Sequence, residues 1–340
     1  VQATTGPRPG RCNDGRVECT GPSAQRRVRN RALASPHADT VAHAMLEHVL
    51  VQRRRDLGGF EVGRVLPQAP RRMVGPFVFF DHMGPVDFAP GIPRSVDVRP
   101  HPHIGLSTVT YLLAGEIMHR DSVGSEQPIR PGEVNWMTAG RGITHSERFE
   151  QARLHGGPMH GLQAWVALPD EDEEIAPAFD HFDAAALPSV EDGGARLRLV
   201  AGSAWGLHAP VPTRSPLFYA HAELRPGARV PLPDDAAERA VYVVEGEVET
   251  AGQLLRGGEM GVFAHGPAHL VARTQATVML LGGAPVGPRF IEWNFVSSRR
   301  ERIEQAKADW RAGRMKLPDL DDAEFIPLPA DPVPPANPMS

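Results

Sequence analysis

Two short residue pairs in the first half of the chain have the types and spacing to bind a metal ion. One is His101-Pro-His103; the other is His145-Ser-Glu147, which ends the run Met137-Thr-Ala-Gly-Arg-Gly-Ile-Thr-His-Ser-Glu147. In each pair the side chains stand at i and i+2, which on a β-strand puts them on one face. Two such strands side by side present three imidazoles and a carboxylate to one point. That donor set suits a divalent ion such as iron, nickel, copper, manganese or zinc. Four donors on an ion that takes five or six leave room for water, dioxygen or a substrate oxygen, as a catalytic centre requires. If zinc engaged all four as a closed tetrahedron, the same set would make a structural centre.

A lone His-x-His carries little weight, so the elements that must position the pairs matter more. Ser107-Thr-Val-Thr-Tyr-Leu-Leu113 is rich in β-branched and aromatic residues and ends at Ala114-Gly115, a strand followed by a turn. Pro131-Gly132 signals a second turn and Val134-Asn-Trp-Met137 a further strand. Gly140-Arg-Gly142 then lets the chain bend sharply before His145. Upstream, Phe60–Leu66 and Pro76–Phe80 read as strands, the second ending at Asp81-His82. His82 has no partner at ligand spacing and is expected to be a hydrogen-bonded structural histidine.

His-Pro-His, Thr-Val-Thr-Tyr-Leu-Leu and Trp-Met-Thr-Ala-Gly-Arg-Gly-Ile-x-His-x-Glu together resemble the signature of the pirin family within the cupin superfamily, over about residues 48 to 315. The resemblance implies an all-β fold of two antiparallel cupin (jelly-roll) barrels in tandem with a short C-terminal helix. It implies one iron ion, Fe2+, held by the equivalents of His101, His103, His145 and Glu147. Many cupins place a glutamate four residues after the second histidine; here that position is Ser107, and in the pirin scheme the carboxylate comes from the second motif. His160-Gly-Leu-Gln163-Ala-Trp165-Val-Ala-Leu168 alternates as a half-buried strand should. By resemblance Gln163 and Trp165 line the metal pocket, and Trp136 is expected there too. The implied activity is a quercetin 2,3-dioxygenase-like attack of dioxygen on a flavonol-like aromatic substrate, with Glu147 as ligand and proton acceptor. The alternative is an iron-dependent regulatory protein that binds a transcription factor or a metabolic enzyme.

The 340 residues suffice for two domains with ample burial. No apolar run approaches the ~18 residues of a membrane helix, and a formal net charge of −5 gives no electrostatic case for nucleic acid. Cys12 and Cys19 both precede residue 20, so the body carries no disulfide framework, in keeping with a monomer in a reducing cytoplasm. Residues 1–44 contain no Phe, Trp or Tyr and seven Arg against three acids. They read as a disordered extension before the family-like sequence that starts near Met45.

A second copy of the barrel is expected at a period near 130 residues. Tyr111-Leu-Leu-Ala-Gly115-Glu-Ile117 matches Tyr242-Val-Val-Glu-Gly246-Glu-Val248, an offset of 246 − 115 = 131; Arg130-Pro-Gly132-Glu133 matches Arg256-Gly-Gly258-Glu259, an offset of 258 − 132 = 126. Such a period marks duplicated units. At the second offset His145 maps to Val271 and Glu147 to Arg273, so the copy is expected to hold no metal despite His265 and His269 nearby. The organisation expected is a first cupin domain at 45–175, a second at 176–318 with a helix at 298–313, and a Pro-rich tail at 319–340. Asp170-Glu-Asp-Glu-Glu174 reads as a solvated inter-domain loop. Ser298-Arg-Arg-Glu301 reads as a capping box, Ile303, Ala306 and Trp310 as an apolar stripe, and Gly313 as the helix stop.

Overall fold

The β-branched and aromatic runs bounded by glycine form antiparallel strands in the computed structural model, which describes residues 45–56 and 60–330. The extension expected over residues 1–44 and the last ten residues of the Pro-rich tail lie outside the described residues. Phe77–Phe88, Leu106–Ala114, Val134–Thr138 and Gly157–Ala167 make the centre of a seven-stranded sheet. Facing it is a four-stranded sheet in the order Val98–His103, Ile143–Arg148, Ile117–Asp121, Glu126–Ile129. The two close into the first barrel.

The second barrel repeats this plan. Leu217–Leu224, Glu238–Glu245, Glu259–Phe263 and Ala276–Gly283 lie in an eight-stranded sheet. A four-stranded sheet of Arg229–Pro231, His269–Ala272, Glu247–Thr250 and Gln253–Arg256 has the same strand order as its counterpart. The duplication extends to single hydrogen bonds. Gly115 and Gly246 take the same left-handed turn, at φ 87° and 81°, a conformation that glycine adopts without steric cost. The Arg130 amide donates to Glu133 Oε2 at 2.8 Å, and the Arg256 amide to Glu259 Oε2 at 2.8 Å.

The two large sheets pack through their outer faces. Phe77, Phe80, Val109, Tyr111, Leu162 and Ala164 of the first bury against Tyr219, Tyr242, Met260, Val262, Met279 and Leu281 of the second. Crossed polar contacts tie this interface: Tyr111 OH meets His221 Nδ1 at 3.0 Å, and Tyr242 OH meets His82 Nδ1 at 2.8 Å. His82 is thus a hydrogen-bonded structural residue, its other nitrogen 2.7 Å from His160 Nε2.

Strand pairing crosses the boundaries expected at 45–175 and 176–318. Leu46–Val51 pairs with Glu259–Phe263 of the second barrel, and Ala178–Phe182 continues the first barrel's sheet by pairing with Val134–Thr138. A chain leaving one barrel can pair with whichever sheet edge lies open, and composition does not reveal that edge. Past the second barrel the chain returns to the first. Phe295, Ile303, Ala306 and Trp310 bury against Ile104, and the Ile326 amide donates to the Pro100 carbonyl at 2.8 Å, so the start of the expected tail is docked.

Two expectations need correction here. The acidic run is solvated at Asp170, Glu171 and Glu174, as expected, but it is not a free loop. Asp170 pairs with the buried Arg289 at 2.7 Å, buried Glu173 accepts the Ser297 hydroxyl at 2.7 Å and the Ser298 amide at 2.6 Å, and Glu174 pairs with Arg302 at 2.7 Å. It clamps the returning segment to the first barrel. The helix Arg300–Arg311 has Arg299 at its N-cap and no side-chain cap. Ser298 is held by Glu173 instead, and the Arg299 amide finds Ser297 Oγ at 3.1 Å. Among the described residues, no helix is long and apolar enough to cross a membrane.

Candidate metal centre

The two candidate ligand pairs lie on adjacent antiparallel strands, Val98–His103 and Ile143–Arg148. His145 faces His101 in the register, Ile143 faces His103, and the register shifts between His145 and Glu147. Gly140 sets up the turn into the second strand. Its φ is 51° and an added Cβ would come within 2.2 Å of the Ile175 carbonyl oxygen, so only glycine fits.

The rings of His101, His103 and His145 converge, with centroids 4.4 to 5.1 Å apart, and one ring nitrogen from each falls within 4.8 Å of the others. Hydrogen bonds fix which nitrogen that is. His101 Nδ1 donates to the Arg99 carbonyl at 2.9 Å and His103 Nδ1 to the Asn294 carbonyl at 3.0 Å. His103 Nε2 and His145 Nε2 are buried without a hydrogen-bond partner among the described residues. Burial holds His101 down at about 4, and burial with the neighbouring imidazoles takes His103 and His145 well below the usual histidine range. All three are therefore neutral at pH 7 with bare lone pairs facing inward, the state a metal needs. Buried nitrogens with no other partner are otherwise costly, so these residues fit a divalent ion.

Glu147 lies beside this cluster but outside the three-histidine group. Gln163 Nε2 and Thr110 Oγ1 each stand 3.3 Å from its Oε1, and the Thr110 hydroxyl donates to Gln163 Oε1 at 2.7 Å. Burial raises its pKa, against the opposing influence of His119, Thr110 and Gln163.

A cavity of about 900 Å³ adjoins the histidines. Gln163 and Trp165 line it, as the family resemblance implies. Trp165 stacks on Phe79 at 4.0 Å between ring centroids and 13° between planes, Arg64 lies over the Phe79 ring, and Arg64 grips Asp81 with two bonds of 2.9 and 2.8 Å. Trp136 is not on this wall. It pairs with Val109 and faces the core between the barrels, while its neighbour Met137 packs beside Trp165. Val134–Thr138 is buried on both faces, so no polar alternation reveals which side Trp136 takes. A further group, Glu133, His181 and Asp183, lies at the sheet edge, where His181 Nε2 is 3.8 and 3.5 Å from the acids; we assign it no ion.

Several contributors escape the sequence reading. Ile291, Trp293 and Asn294 of the returning segment wall the cavity, with Glu324 and Ile326. His119 lies behind His145, its Nδ1 3.4 Å from His145 Nδ1 and its Nε2 2.9 Å from Asp121 Oδ2. Burial pushes Asp121 up, but bonds from His119 and Ser125 prevail and hold its carboxyl below the usual range. The signal for this pair was present: His119-Arg-Asp121 has the same i, i+2 spacing as the ligand pairs. The outward residues of the ligand strand are also engaged. The Thr144 hydroxyl donates to the Lys316 carbonyl, and Ser146 and Arg148 bind Asp321 at 2.6 to 2.7 Å.

The sequence profile described as Pirin matches residues 59–166, and that of the Pirin C-terminal cupin domain matches residues 219–316. A pirin-like protein of Caulobacter vibrioides is 64% identical over 287 residues, covering 84% of this chain and 100% of that one. Pirin-1 of Arabidopsis thaliana is 29% identical, covering 80% and 94%. The crystal structure of quercetin 2,3-dioxygenase from Acinetobacter baumannii superposes with a TM-score of 0.77 at 33% identity, covering 84% and 95%. With both barrels matched in order and the three-histidine cluster in the first, the chain belongs to the pirin family of two-barrel cupins.

Proposed function

We propose that this protein is an iron-dependent dioxygenase of the quercetin 2,3-dioxygenase type that acts on a flavonol-like aromatic substrate. The observation that carries this reading is a cluster of three converging, neutral imidazoles, two of which, His101 and His103, line a cavity of about 900 Å³ that has an aromatic wall. Likeness to the Acinetobacter enzyme supports it. His101, His103, His145 and Glu147 would hold one ion. Iron(II) is the assignment, and the donor set would also accept nickel, copper, manganese or zinc. Once bound, the ion supplies Lewis-acid polarisation of a substrate oxygen and the redox partner that dioxygen chemistry needs.

The chain's own residues do the rest. Trp165, backed by Phe79, offers a flat apolar face to a planar ring. Glu147, poised by burial and held by Thr110 and Gln163, accepts the proton of a substrate hydroxyl. Arg64 and Asp81 give the cavity wall a fixed polar patch. A regulatory protein would instead be read through a closed mouth beside a charged surface. Here the mouth is charged, at Arg94 and Arg99, but not closed: the cavity lining reaches the surface at Arg94, Ser95 and Arg99, an opening that would admit a small molecule.

The test is elemental analysis of the purified protein followed by dioxygen uptake with a panel of flavonols. One equivalent of metal and flavonol-dependent uptake are expected. A chain that binds metal yet consumes no dioxygen with any flavonol would overturn the enzyme reading, and a metal-free chain that cannot be loaded would overturn the site.

A further inference from the structure

We infer that His119 and Asp121 form a hydrogen-bonded relay behind His145, which fixes the protonated nitrogen of that one ligand and couples it to a buried carboxylate. The inference rests on the metal reading proposed above.

The roles of all three side chains follow from one end. Asp121 Oδ2, as a carboxylate oxygen, can only accept, so the 2.9 Å contact makes His119 Nε2 the donor. A neutral His119 then has a bare Nδ1 that accepts, which makes His145 Nδ1 the donor across 3.4 Å. His145 Nε2 is left unprotonated, and it is buried with no hydrogen-bond partner among the described residues. The relay therefore orients the lone pair where the other two ligands point theirs.

Each member is held independently of any ion. The His119 ring stacks on Phe179 at 4.3 Å between centroids and 16° between planes. The other oxygen of Asp121 accepts the Val123 and Ser125 amides at 3.0 Å each. His119 is 4% exposed and Asp121 1%, so water competes for neither bond.

The contrast with the other two ligands gives the relay its function. His101 and His103 donate to backbone carbonyls, of Arg99 and Asn294, which are fixed dipoles without net charge. Only His145 is linked to a full negative charge. A partner of that kind raises ligand basicity, and the imidazole placed between tempers the pull that a directly bonded carboxylate would exert. His119 and Asp121 are thus positioning residues that act through His145.

The test uses the full chain, read three ways: the His145 tautomer in the metal-free protein by long-range 1H–15N NMR, zinc(II) affinity by competition with a chromophoric chelator, and the melting temperature. The unmodified chain should show His145 protonated at Nδ1. His119→Phe keeps the stacking on Phe179 but removes the acceptor. Asp121→Asn still accepts from Val123 and Ser125, while its amide donates to His119 Nε2, moves the His119 proton to Nδ1 and sets two donors against each other. Both should lose the Nδ1-protonated tautomer and bind zinc about 10–100-fold more weakly, with the fold retained. His119→Gln, whose side-chain oxygen accepts, should restore both. The relay is overturned if His145 is protonated at Nε2 in the unmodified chain, or if His119→Phe leaves tautomer and affinity unchanged. If the unmodified chain takes up no zinc, the metal reading fails, and the tautomer alone then decides whether the relay exists.

Discussion

The two barrels share a strand order, a glycine turn and an Arg–Glu turn bond, yet their interiors are built from opposite materials. Between the sheets of the second lie Leu197, Leu199, Val230, Val241, Leu270 and Leu280, a packed apolar core. Between those of the first lie the three histidines, Glu147, Thr110 and Gln163 beside a cavity, with the apolar residues split into two clusters that both border it. The comparison teaches that the scaffold does not depend on the ligands. A hollow polar interior forfeits burial, and the first barrel recovers it outside, against the second barrel and under the returning segment. The second barrel keeps its full interior and serves as the surface the first leans on.

That comparison can be sharpened or broken, and the largest effect should come from Glu147→Gln. The change keeps one oxygen and removes the charge and the proton acceptor. Dioxygen-dependent turnover should fall about 10²–10⁴-fold and metal affinity should drop, while circular dichroism stays that of the folded chain. Turnover and metal content both unchanged would remove Glu147 from the chemistry and leave a three-histidine centre.

The next effect contrasts one truncation in each interior. Leu270→Ala opens a void in the packed barrel and should destabilise by about 2–5 kcal/mol. Gln163→Ala faces space that is already open, so it should cost no more than about 1 kcal/mol, the size of an ordinary hydrogen bond. Denaturant melts of the two variants measure this. Equal losses would mean that the first interior is packed as tightly as the second.

The smallest effect tests the duplication itself. Glu133→Ala and Glu259→Ala each delete one 2.8 Å bond at equivalent turns, and each should cost about 0.5–1.5 kcal/mol. A markedly larger loss for one would show that the shared turn carries different loads in the two copies.

The sequence by itself determined the candidate ligand pairs, most strands and the tandem repeat, because each is written in a local pattern. An i, i+2 spacing fixes a shared face, β-branched runs between glycines fix a strand, and a repeated turn motif fixes a period. Alternation marked the strand of Gln163 and Trp165, and the family resemblance pointed those two side chains at the pocket. The mapping of the second copy was less secure. Val271, the counterpart of His145 at an offset of 126, is only half-buried, and Leu270 and Ala272 fill the interior instead, because a small change in loop length slips the register and turns every side chain over.

Only the tertiary structure decided what surrounds the metal centre. His103 takes its orienting carbonyl from Asn294, 191 residues away, and Asp170, Glu173 and Glu174 find their arginines and serines on that same returning segment. Thr144, Ser146 and Arg148 face outward between the inward His145 and Glu147, and are gripped by Lys316 and Asp321. Trp136 turns toward the second barrel, and its strand, buried on both sides, carries no polar alternation that would reveal this. Local periodicity says which residues share a face of a strand; the path of the chain through space says what that face will meet.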